Sequence, residues 1–310
     1  MPIVMGWNGS AWTRIALPAS ILAKLGTGIG PLLDAADASG PANMWAFSVT
    51  GGWLHWNGQW TAGQIARTPV AIYSTVVLGR GNVWALGGTG SSGAPFAAHY
   101  NGTGWKRSPV PGSASISAAS AVRGTDIWAT LGKAELSLGG GATSGGLVHW
   151  FSGRWHRVTG LPAALRNASL GSILARSDKN VWVGGATRNA RGGTTEALGH
   201  WNGRTWTVIR LRARATVNGY RVASLATDGA GGIWALGNCI ASTRCSNGSP
   251  WRLWHEVAGR WSGPTRPRLA SHNTVLFSLA AVSHSAWAPG AIQVGNSANG
   301  IIALWGTKPS

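Results

Sequence analysis

The chain has 310 residues, of which 44% are hydrophobic and only 11% are charged. A chain of this length can bury a large core, either as one repeat domain or as two ordinary domains. With 26 Lys and Arg against 8 Asp and Glu, its formal charge of +18 attracts polyanions such as nucleic acid, anionic glycans or a cell envelope. An Arg-, Ala- and Gly-rich composition is equally what a GC-rich genome produces. No run of 18 apolar residues occurs, which excludes a membrane-spanning helix and predicts no membrane insertion.

The N-terminal segment MGWNGSAWTRI predicts a hairpin fragment with Asn8 and Gly9 in its turn. We expect residues 1–18 to supply an outer strand that closes the fold against strands from the C-terminus. The next segment, ASILAKL at 19–25, is compatible with a helix and is left unassigned. The first residues lack the basic region and apolar core of a signal peptide. If the protein is exported, we expect its signal to have been removed or to lie outside this sequence.

From Trp45 onward one strand motif recurs at intervals of 39 to 54 residues. Its copies are ANMWAF around Trp45, NVWALGG around Trp84, DIWATLG around Trp128, NVWVGG around Trp182, GIWALG around Trp234 and SAWAPG around Trp287. Short segments rich in Val, Ile and Trp and bounded by Gly, Asn or Ser are typical of β-strands. An Ala/Ser/Val-rich stretch precedes each copy, so the motif is the second strand of a repeated unit.

A second motif follows every copy of the first except the last. It reads HWNGQW at 55–60, HYNGTGW at 99–105, HWFSGRW at 149–155, HWNGRTW at 200–206 and HEVAGRW at 255–261. The Asn-Gly pairs tolerate the positive φ of a tight hairpin turn, so the motif predicts a third strand, a turn and a fourth strand. Four antiparallel strands in a repeat of this length are typical of a β-propeller blade.

Counting the motifs predicts an all-β, six-bladed β-propeller that forms a single domain over residues 1–310. The second-strand tryptophans and the fourth-strand tryptophans form two columns that we expect to pack within and between blades. The fourth-strand column consists of Trp12, Trp60, Trp105, Trp155, Trp206 and Trp261. Trp7 and Trp305 both fit the third-strand slot at the closure, and the sequence does not choose between them.

The stretch NVWALGGTGSSGAPFAAHYNGTGWKRSPVP resembles a kelch repeat, with Gly87-Gly88 ending a hydrophobic strand, an aromatic at Tyr100 and Trp105 on the last strand. VWVGG at 181–185 repeats the two glycines, whereas the other copies depart from them. The pairing of VWALG with HWNGxxW resembles the kelch-like, galactose-oxidase-like β-propellers of secreted actinobacterial proteins. The resemblance covers essentially the whole chain and implies the fold more than a function, since propellers host unrelated activities.

No catalytic or metal-binding motif stands out. The repeated histidines occur one per unit and are too dispersed to ligate one metal, so we interpret them as structural, each hydrogen-bonding a neighbouring turn. They are His55, His99, His149, His200 and His255. No pair among the eight carboxylates has the pattern of a glycosidase acid and base, although distant residues can converge in space. We predict no cofactor and no metal, and an enzyme of unknown class stays an alternative.

The two cysteines, Cys239 and Cys245, bracket five residues in CIASTRC. This spacing lacks the further ligands of a zinc site and suits a small surface disulfide, with two free thiols as the alternative. A disulfide favours an oxidising, extracellular compartment.

Residues that break the repeat predict a ligand-binding face at the second-to-third and fourth-to-first connections, because long variable loops on a rigid scaffold commonly carry function. Trp53 and Trp251 lie at the entrances of third strands, and Tyr73 and Tyr220 lie near the starts of innermost strands. Four arginines are predicted to join them: Arg188, Arg191, Arg212 and Arg244. Aromatic rings beside guanidinium groups can stack on a sugar or a base. Local packing and a solvated basic surface are the alternatives.

The sequence therefore predicts a non-catalytic, secreted or cell-surface binding module that recognises a glycan or anionic cell-envelope polymer, in the manner of a lectin. A basic scaffold for polyanions or proteins is the alternative. Nucleic acid is the weaker partner, because the Arg-rich loops come without an RNA-binding motif.

Overall fold

The computed structural model describes residues 4–7, 10–25, 33–66, 68–90, 93–132, 146–188, 194–211, 219–239, 251–265, 274–282, 285–294 and 297–305. The chain divides into two compact units. Unit 1 holds Met1–Ala134 and Leu147–Val158, and unit 2 holds Glu135–Gly146 and Thr159–Pro309. The single-domain prediction stays a prediction.

Unit 1 begins with two short strands, β1 (Val4–Trp7) and β2 (Trp12–Ile15), followed by a helix, α1 (Ala19–Leu22), that continues as a 3-10 turn over Ala23–Leu25. The unassigned segment 19–25 is thus helical. The remaining strands of this unit are β3 (Leu33–Gly40), β4 (Asn43–Ser48), β5 (Gly52–Trp56), β6 (Trp60–Gln64), β7 (Val70–Gly79), β8 (Asn82–Thr89), β9 (Ala94–Tyr100), β10 (Trp105–Arg107), β11 (Ile116–Arg123), β12 (Asp126–Leu131), β13 (Gly146–Phe151) and β14 (Arg154–Arg157). They form three four-stranded antiparallel sheets: sheet 1 is β3 to β6, sheet 2 is β7 to β10 and sheet 3 is β11 to β14.

Unit 2 begins with a short helix, α2 (Ala163–Arg166), after Pro162. Its strands are β15 (Ser169–Ser177), β16 (Asn180–Arg188), β17 (Thr194–Trp201), β18 (Trp206–Ile209), β19 (Tyr220–Thr227), β20 (Ile233–Cys239), β21 (Trp251–Val257), β22 (Arg260–Thr265), β23 (Thr274–Leu276), β24 (Ala280–Val282), β25 (Ser285–Val294) and β26 (Ser297–Trp305). Sheet 4 is β15 to β18, sheet 5 is β19 to β22 and sheet 6 is β23 to β26. None of the helices in the described part of the chain is long and apolar enough to cross a membrane.

In sheets 1 to 5 the strands pair in the order in which they occur along the chain. The third and fourth strands form the predicted hairpins, and the turn glycines Gly58, Gly102 and Gly203 have the positive φ that such turns require. Ser152 and Ala258 adopt positive φ in the equivalent turns of sheets 3 and 5. All-β structure in six four-stranded sheets is therefore confirmed.

The five repeated histidines are structural, as predicted. In each of sheets 1 to 5, the histidine Nε2 lies 2.6–3.1 Å from an Asn or Asp oxygen at the end of the first turn. The pairs are His55 with Asn43, His99 with Asn82, His149 with Asp126, His200 with Asn180 and His255 with Asp228. Each imidazole also stacks on the second-strand tryptophan of its own sheet, at centroid distances of 3.8–4.6 Å.

Three pairs from the two tryptophan columns pack between neighbouring sheets of the same unit, as predicted, whereas Trp12 of the fourth-strand column is exposed. A second-strand indole of one sheet meets a fourth-strand indole of the next edge to face, with ring centroids 5.8 Å apart. The pairs are Trp45 with Trp105, Trp84 with Trp155 and Trp182 with Trp261. Such contacts bury large aromatic surfaces, so these side chains hold one sheet against the next.

Side chains on the first strands also connect neighbouring sheets. The Asp37 carboxylate accepts a hydrogen bond from the Val77 amide at 2.7 Å, and the Ser74 hydroxyl accepts one from the Ala119 amide at 2.9 Å. In unit 2, Ser224 accepts from the Leu279 amide at 3.0 Å. These bonds satisfy backbone donors that a four-stranded sheet leaves unpaired along its inner edge.

The C-terminal strand takes the third position of sheet 6. β26 pairs with β25 along its whole length, and Trp305 lies opposite Ala286, while β1 pairs with β2. β23 and β24 lie end to end along the other edge of β25, so sheet 6 fills three strand positions. The fourth position, beside β26, is not occupied by a strand from the described part of unit 2. The predicted closure by the N-terminal strand stays a prediction.

A cleft between sheets 4 and 5 as the candidate functional site

One position of the repeat differs in sheet 5. In the third-to-fourth-strand hairpins of sheets 1 to 4, an aromatic residue of the third strand lies directly opposite the fourth-strand tryptophan. These pairs are Trp56 with Trp60, Tyr100 with Trp105, Trp150 with Trp155 and Trp201 with Trp206. In sheet 5 the residue opposite Trp261 is Glu256.

In unit 1 the third-strand aromatic fills the space between two sheets. Tyr100 of sheet 2 lies 5.2 Å from Trp45 of sheet 1 and 5.3 Å from its own partner Trp105. The equivalent Trp150 of sheet 3 lies 4.7 Å from Trp84 of sheet 2. A glutamate cannot replace this aromatic volume, so the same position between sheets 4 and 5 is left open.

The opening is a cleft of about 670 Å³, within the range of small-ligand pockets. Its lining combines indole, imidazole, carboxylate, amide and guanidinium groups. The residues are Arg176, Asn180, Trp182, His200, Val208, Ile209, Arg210, Gly231, Glu256, Ala258, Gly259 and Trp261. Sheet 4 supplies one wall, from its first strand to the end of its fourth, and the turns and outer strands of sheet 5 supply the other.

Glu256 is only 6% exposed, and its position is fixed by the hairpin turn that follows it. Its Oε1 atom accepts a hydrogen bond from the Gly259 amide, inside a turn where Ala258 adopts a φ of 51°. Among the described residues, no cationic side chain forms an ion pair with this carboxylate, and its Oε2 atom makes no hydrogen bond. That oxygen is therefore the candidate acceptor for a ligand in the cleft.

The aromatic part of the cleft is held by packing. Trp182 stacks on His200 at 4.1 Å, donates its indole N–H to the Asn180 Oδ1 at 2.8 Å and is 7% exposed. Trp261, which is half-buried, meets Trp182 at 68°. Trp261 is thus the indole with surface available for stacking.

Deeper between the same two sheets, a second residue of β21 that differs from the repeat, Trp254, provides the apolar core. Trp254 stands two residues before Glu256 on β21 and is 1% exposed. It packs with Trp182 and Leu198. Gly237 makes room for it, since a Cβ at that position would lie 2.5 Å from the Trp254 ring. On β21 the large apolar side chain is therefore at the inner position, Trp254, and the outer position, Glu256, is polar.

Two arginines border the cleft at different strands. Arg176, on the first strand of sheet 4, donates from Nη1 to the Gly231 carbonyl of sheet 5 at 2.7 Å. Arg210 directly follows β18, is exposed, and within the described ranges makes neither a hydrogen bond nor an ion pair. Burial lowers the pKa of His200, with Glu256 raising it and Arg176 lowering it, so the imidazole is neutral at pH 7. The lining thus carries two cations and one anion.

Two of the predicted aromatic ligand contacts are wrong, because their rings lie in the core. Trp251 is 2% exposed and packs with Leu276, Leu279 and Ala286 of sheet 6. Tyr220 is 1% exposed. Neither ring has a free face to offer a sugar or a base.

The ring of Tyr220 is covered by a buried arginine. The Arg252 guanidinium lies 4.0 Å from the ring centroid, and its Nη1 lies 3.7 Å from Glu196 Oε1. Arg252 is 2% exposed, and burial raises the pKa of Glu196 even though Arg252 lowers it. This cation–π and ion-pair contact joins sheets 4 and 5, with Arg252 and Tyr220 buried and Glu196 partly exposed.

The other two predicted aromatics are half-buried. Trp53 packs 5.4 Å from Trp45 and lies over Gly63, where a Cβ would come within 2.7 Å of the indole, so it is part of the packing of sheet 1. Tyr73 sits at a β-bulge of β7, between Ile72 and Ser74. Burial and the nearby Asp34 carboxylate raise its pKa. A ligand contact at Tyr73 stays a prediction.

The structure does not bring the predicted arginines together. Arg188 is the exposed last residue of β16, and its role stays a prediction. Arg191, Arg212, Arg244 and Cys245 lie outside the described residues. Cys239 ends β20 and is disulfide-bonded. The chain has only two cysteines, but the pairing with Cys245 stays a prediction because that residue is not described.

Most of the cleft residues belong to the repeated motifs and not to the variable loops, so the pattern of variable loops did not predict them. The signal was nevertheless present. Four copies of the second motif begin with His followed by Trp or Tyr, and only the copy at 255–261 begins with His followed by Glu.

No model of a known protein family matches the chain, and no curated protein matches it in sequence. The kelch-like family assignment therefore stays a prediction. Solved structures do match over most of the chain. YCF48 bound to a D1 peptide has a TM-score of 0.57 at 13% identity, covering 91% of this chain and 81% of that one. The six-bladed, fucose-recognising lectin of Aleuria aurantia has a TM-score of 0.54 at 14% identity, covering 86% and 90%.

A GH74 xyloglucanase from Xanthomonas campestris has a TM-score of 0.62 at 14% identity, covering 90% of this chain and 45% of the enzyme. The chain thus spans about half the length of that enzyme. At such identities the likeness concerns the fold alone. Together with the six four-stranded sheets, it supports a six-bladed β-propeller.

Proposed function

We propose that this protein is a non-catalytic binding module that takes a carbohydrate into the cleft between sheets 4 and 5, in the manner of a lectin. The observation that carries the proposal is the replacement of an aromatic by Glu256 opposite Trp261. In unit 1 the corresponding aromatics close the space between sheets. Here the same position leaves a cleft of about 670 Å³ with a fixed carboxylate inside it.

The lining suits a sugar ring. The half-buried indole of Trp261 offers a flat apolar surface to the C–H face of a pyranose, and the free oxygen of Glu256 accepts hydrogen bonds from ring hydroxyls. Arg176 supplies donors next to the same space. Because turn and stacking contacts fix Glu256 and Trp182 in advance, binding costs little ordering of these side chains.

A binding role is favoured over hydrolysis because the cleft contributes one carboxylate, whereas glycosidases generally use a pair. The alternative function is that of a basic scaffold that binds polyanions or proteins. Both would use exposed cationic surface, and neither needs a carboxylate at the bottom of an aromatic cleft. No cofactor enters the proposal.

We further propose that the protein works outside the cell and that its propeller is closed by the N-terminal strand. The disulfide bond of Cys239 supports an oxidising compartment. The open fourth position beside β26 in unit 2 supports closure by a strand such as β2, whose Trp12 belongs to the fourth-strand column.

The decisive experiment is a glycan-array screen of the wild-type protein, followed by calorimetry with the best sugar on two variants. Glu256→Trp restores the residue type of the other sheets and should abolish binding by filling the cleft. Glu256→Gln keeps the space but weakens the acceptor, and should reduce affinity by about tenfold. Trp150→Phe, at the equivalent position in unit 1, is the control and should leave affinity unchanged.

Sugar binding that persists in Glu256→Trp would place the ligand elsewhere and overturn the proposal. Binding to peptides but to no glycan, with the same sensitivity to Glu256→Trp, would keep the cleft as the site and replace its ligand class.

A further inference from the structure

We infer that the sugar recognised in this cleft is acidic, a carboxylate-bearing uronic acid unit, and that Arg210 is the residue that selects it over its neutral counterpart. The inference rests on the proposed function, since it specifies the ligand of the same site. The observations behind it are the charged groups of the cleft lining and the hydrogen bonds and ion pairs that those groups already make.

The cleft carries an excess of positive charge. Its lining contains two arginines, Arg176 and Arg210, against one carboxyl group, that of Glu256, while burial lowers the pKa of His200. Across the described residues, the ion pairs are His149 with Asp126, His255 with Asp228 and Arg252 with Glu196. None of them involves an arginine of the cleft. An acidic ligand would therefore supply the missing counter-charge.

The two arginines are not equivalent. Arg176 lies on the first strand of sheet 4, and one of its donors is already used by the Gly231 carbonyl. Arg210 follows the fourth strand, so it lies at the other side of the sheet, at the outer rim of the cleft. All its donors are open within the described part of the chain. A guanidinium with free donors can bind a carboxylate through two parallel hydrogen bonds.

Glu256 determines the orientation of the sugar in the cleft. Its carboxylate is buried to 6% exposure and repels another anion, so the acidic group of a sugar is directed away from it. The hydroxyl groups of the same sugar are suitable donors to its free oxygen. A uronic acid unit satisfies both requirements, because its C2 and C3 hydroxyl groups lie across the ring from the carboxylate on C5. A fully anionic ligand such as inorganic phosphate satisfies only the arginines.

The test compares sugars that differ in one group. Oligomers of glucuronate and glucose, galacturonate and galactose, and mannuronate and mannose each exchange a carboxylate for a CH₂OH at C6. Affinities are measured at low and at physiological salt on wild type, Arg210→Gln and Arg204→Gln. Arg204 is an exposed arginine in the β17–β18 hairpin of the same sheet, outside the cleft lining, so its variant controls for the loss of one general positive charge.

Wild-type protein should prefer the uronate of one matched pair by about tenfold or more, as a charge-assisted bidentate contact supplies. Arg210→Gln should remove that preference while keeping the weaker binding to the neutral sugar, and Arg204→Gln should retain the preference. Equal affinity for the two members of every pair, with binding still blocked by Glu256→Trp, would overturn this inference and leave the carbohydrate proposal intact. Uronate binding unaffected by Glu256→Trp would instead refute both. A preference that Arg204→Gln reduces as much as Arg210→Gln would assign it to the overall charge and overturn the role of Arg210.

Discussion

Glu256 lies opposite Trp261 across the β21–β22 hairpin, at the register position where the four preceding sheets place an aromatic residue. The candidate site therefore arises where the repeat has a glutamate in place of an aromatic side chain. The strands, the turn and the stacked histidine are the same as in the neighbouring sheets. Two positions of β21 differ, Trp254 and Glu256, and with them the volume and the chemistry of the space between two sheets change.

The reverse exchange in unit 1 should open an equivalent space at a cost in stability. Trp150→Glu removes an indole that packs 4.7 Å from Trp84 and 5.7 Å from Trp155. We expect the free energy of unfolding to fall by about 3–5 kcal/mol, as for other truncated aromatics, measured by urea denaturation. The control is Phe151→Glu at the adjacent, 40% exposed position, which should cost less than about 1 kcal/mol. Equal losses in the two variants would show that Trp150 does not act as a packing element.

Trp251→Ala should destabilise the protein about as much as Trp182→Ala, by roughly 3–5 kcal/mol. Trp251 is 2% exposed among apolar side chains of sheets 5 and 6, and Trp182 is 7% exposed between sheets 4 and 5. Both losses can be read from denaturant titrations followed by tryptophan fluorescence. A Trp251→Ala protein with wild-type stability would contradict the burial and restore that ring as a ligand contact.

The free energy of unfolding should fall as the pH drops below about 6.5, the ordinary pKa of histidine. Burial lowers the pKa of His55, His99 and His200, all paired with asparagine. As the pH falls, the unfolded chain therefore binds more protons than the folded protein, and this difference favours unfolding in acid. Carboxyls whose pKa is raised by burial, such as Glu196, act in the opposite sense.

The histidine contribution can be isolated with Asn82→Asp, which gives His99 the carboxylate partner found in sheets 3 and 5. A carboxylate stabilises the imidazolium, so this variant should lose less stability than wild type between pH 7.5 and 5.5. Urea denaturation at the two pH values measures the difference. Asp228 shows that the arrangement tolerates a carboxylate. There burial opposes ionisation, but hydrogen bonds from His255, Ala230 and Gly232 outweigh it and lower the pKa. An identical pH dependence in wild type and variant would mean that His99 does not titrate in this range.

Gly237→Ala should cost about 1–3 kcal/mol, because the added methyl would lie 2.5 Å from the buried ring of Trp254 and the core there has no spare volume. The matched control is Gly171→Ala, also on a strand of unit 2, where the methyl would meet nothing within 4 Å. Thermal unfolding of the two variants against wild type gives the comparison. A neutral Gly237→Ala would mean that Trp254 is not tightly packed between sheets 4 and 5.

The sequence determined what depends on local pattern. Short segments rich in Val, Ile and Trp and bounded by Gly, Asn or Ser predicted the strands, and Asn-Gly pairs predicted the hairpins. Both depend on the backbone preferences of a few adjacent residues. The recurrence of His55 and its four equivalents, one in each of sheets 1 to 5, was sufficient to identify them as structural. Even the replacement at Glu256 is visible in the printed letters, although nothing local reveals its effect.

Tertiary structure decided which side chains are covered, because covering groups come from distant parts of the chain. Trp251 and Tyr220 were predicted to face a ligand, but Leu276 packs against the first and Arg252 covers the second. The cleft, likewise, is a property of two sheets. Glu256 of sheet 5 creates an opening only because Trp182 and His200 of sheet 4 face it, so its volume could be found only once both sheets were in place.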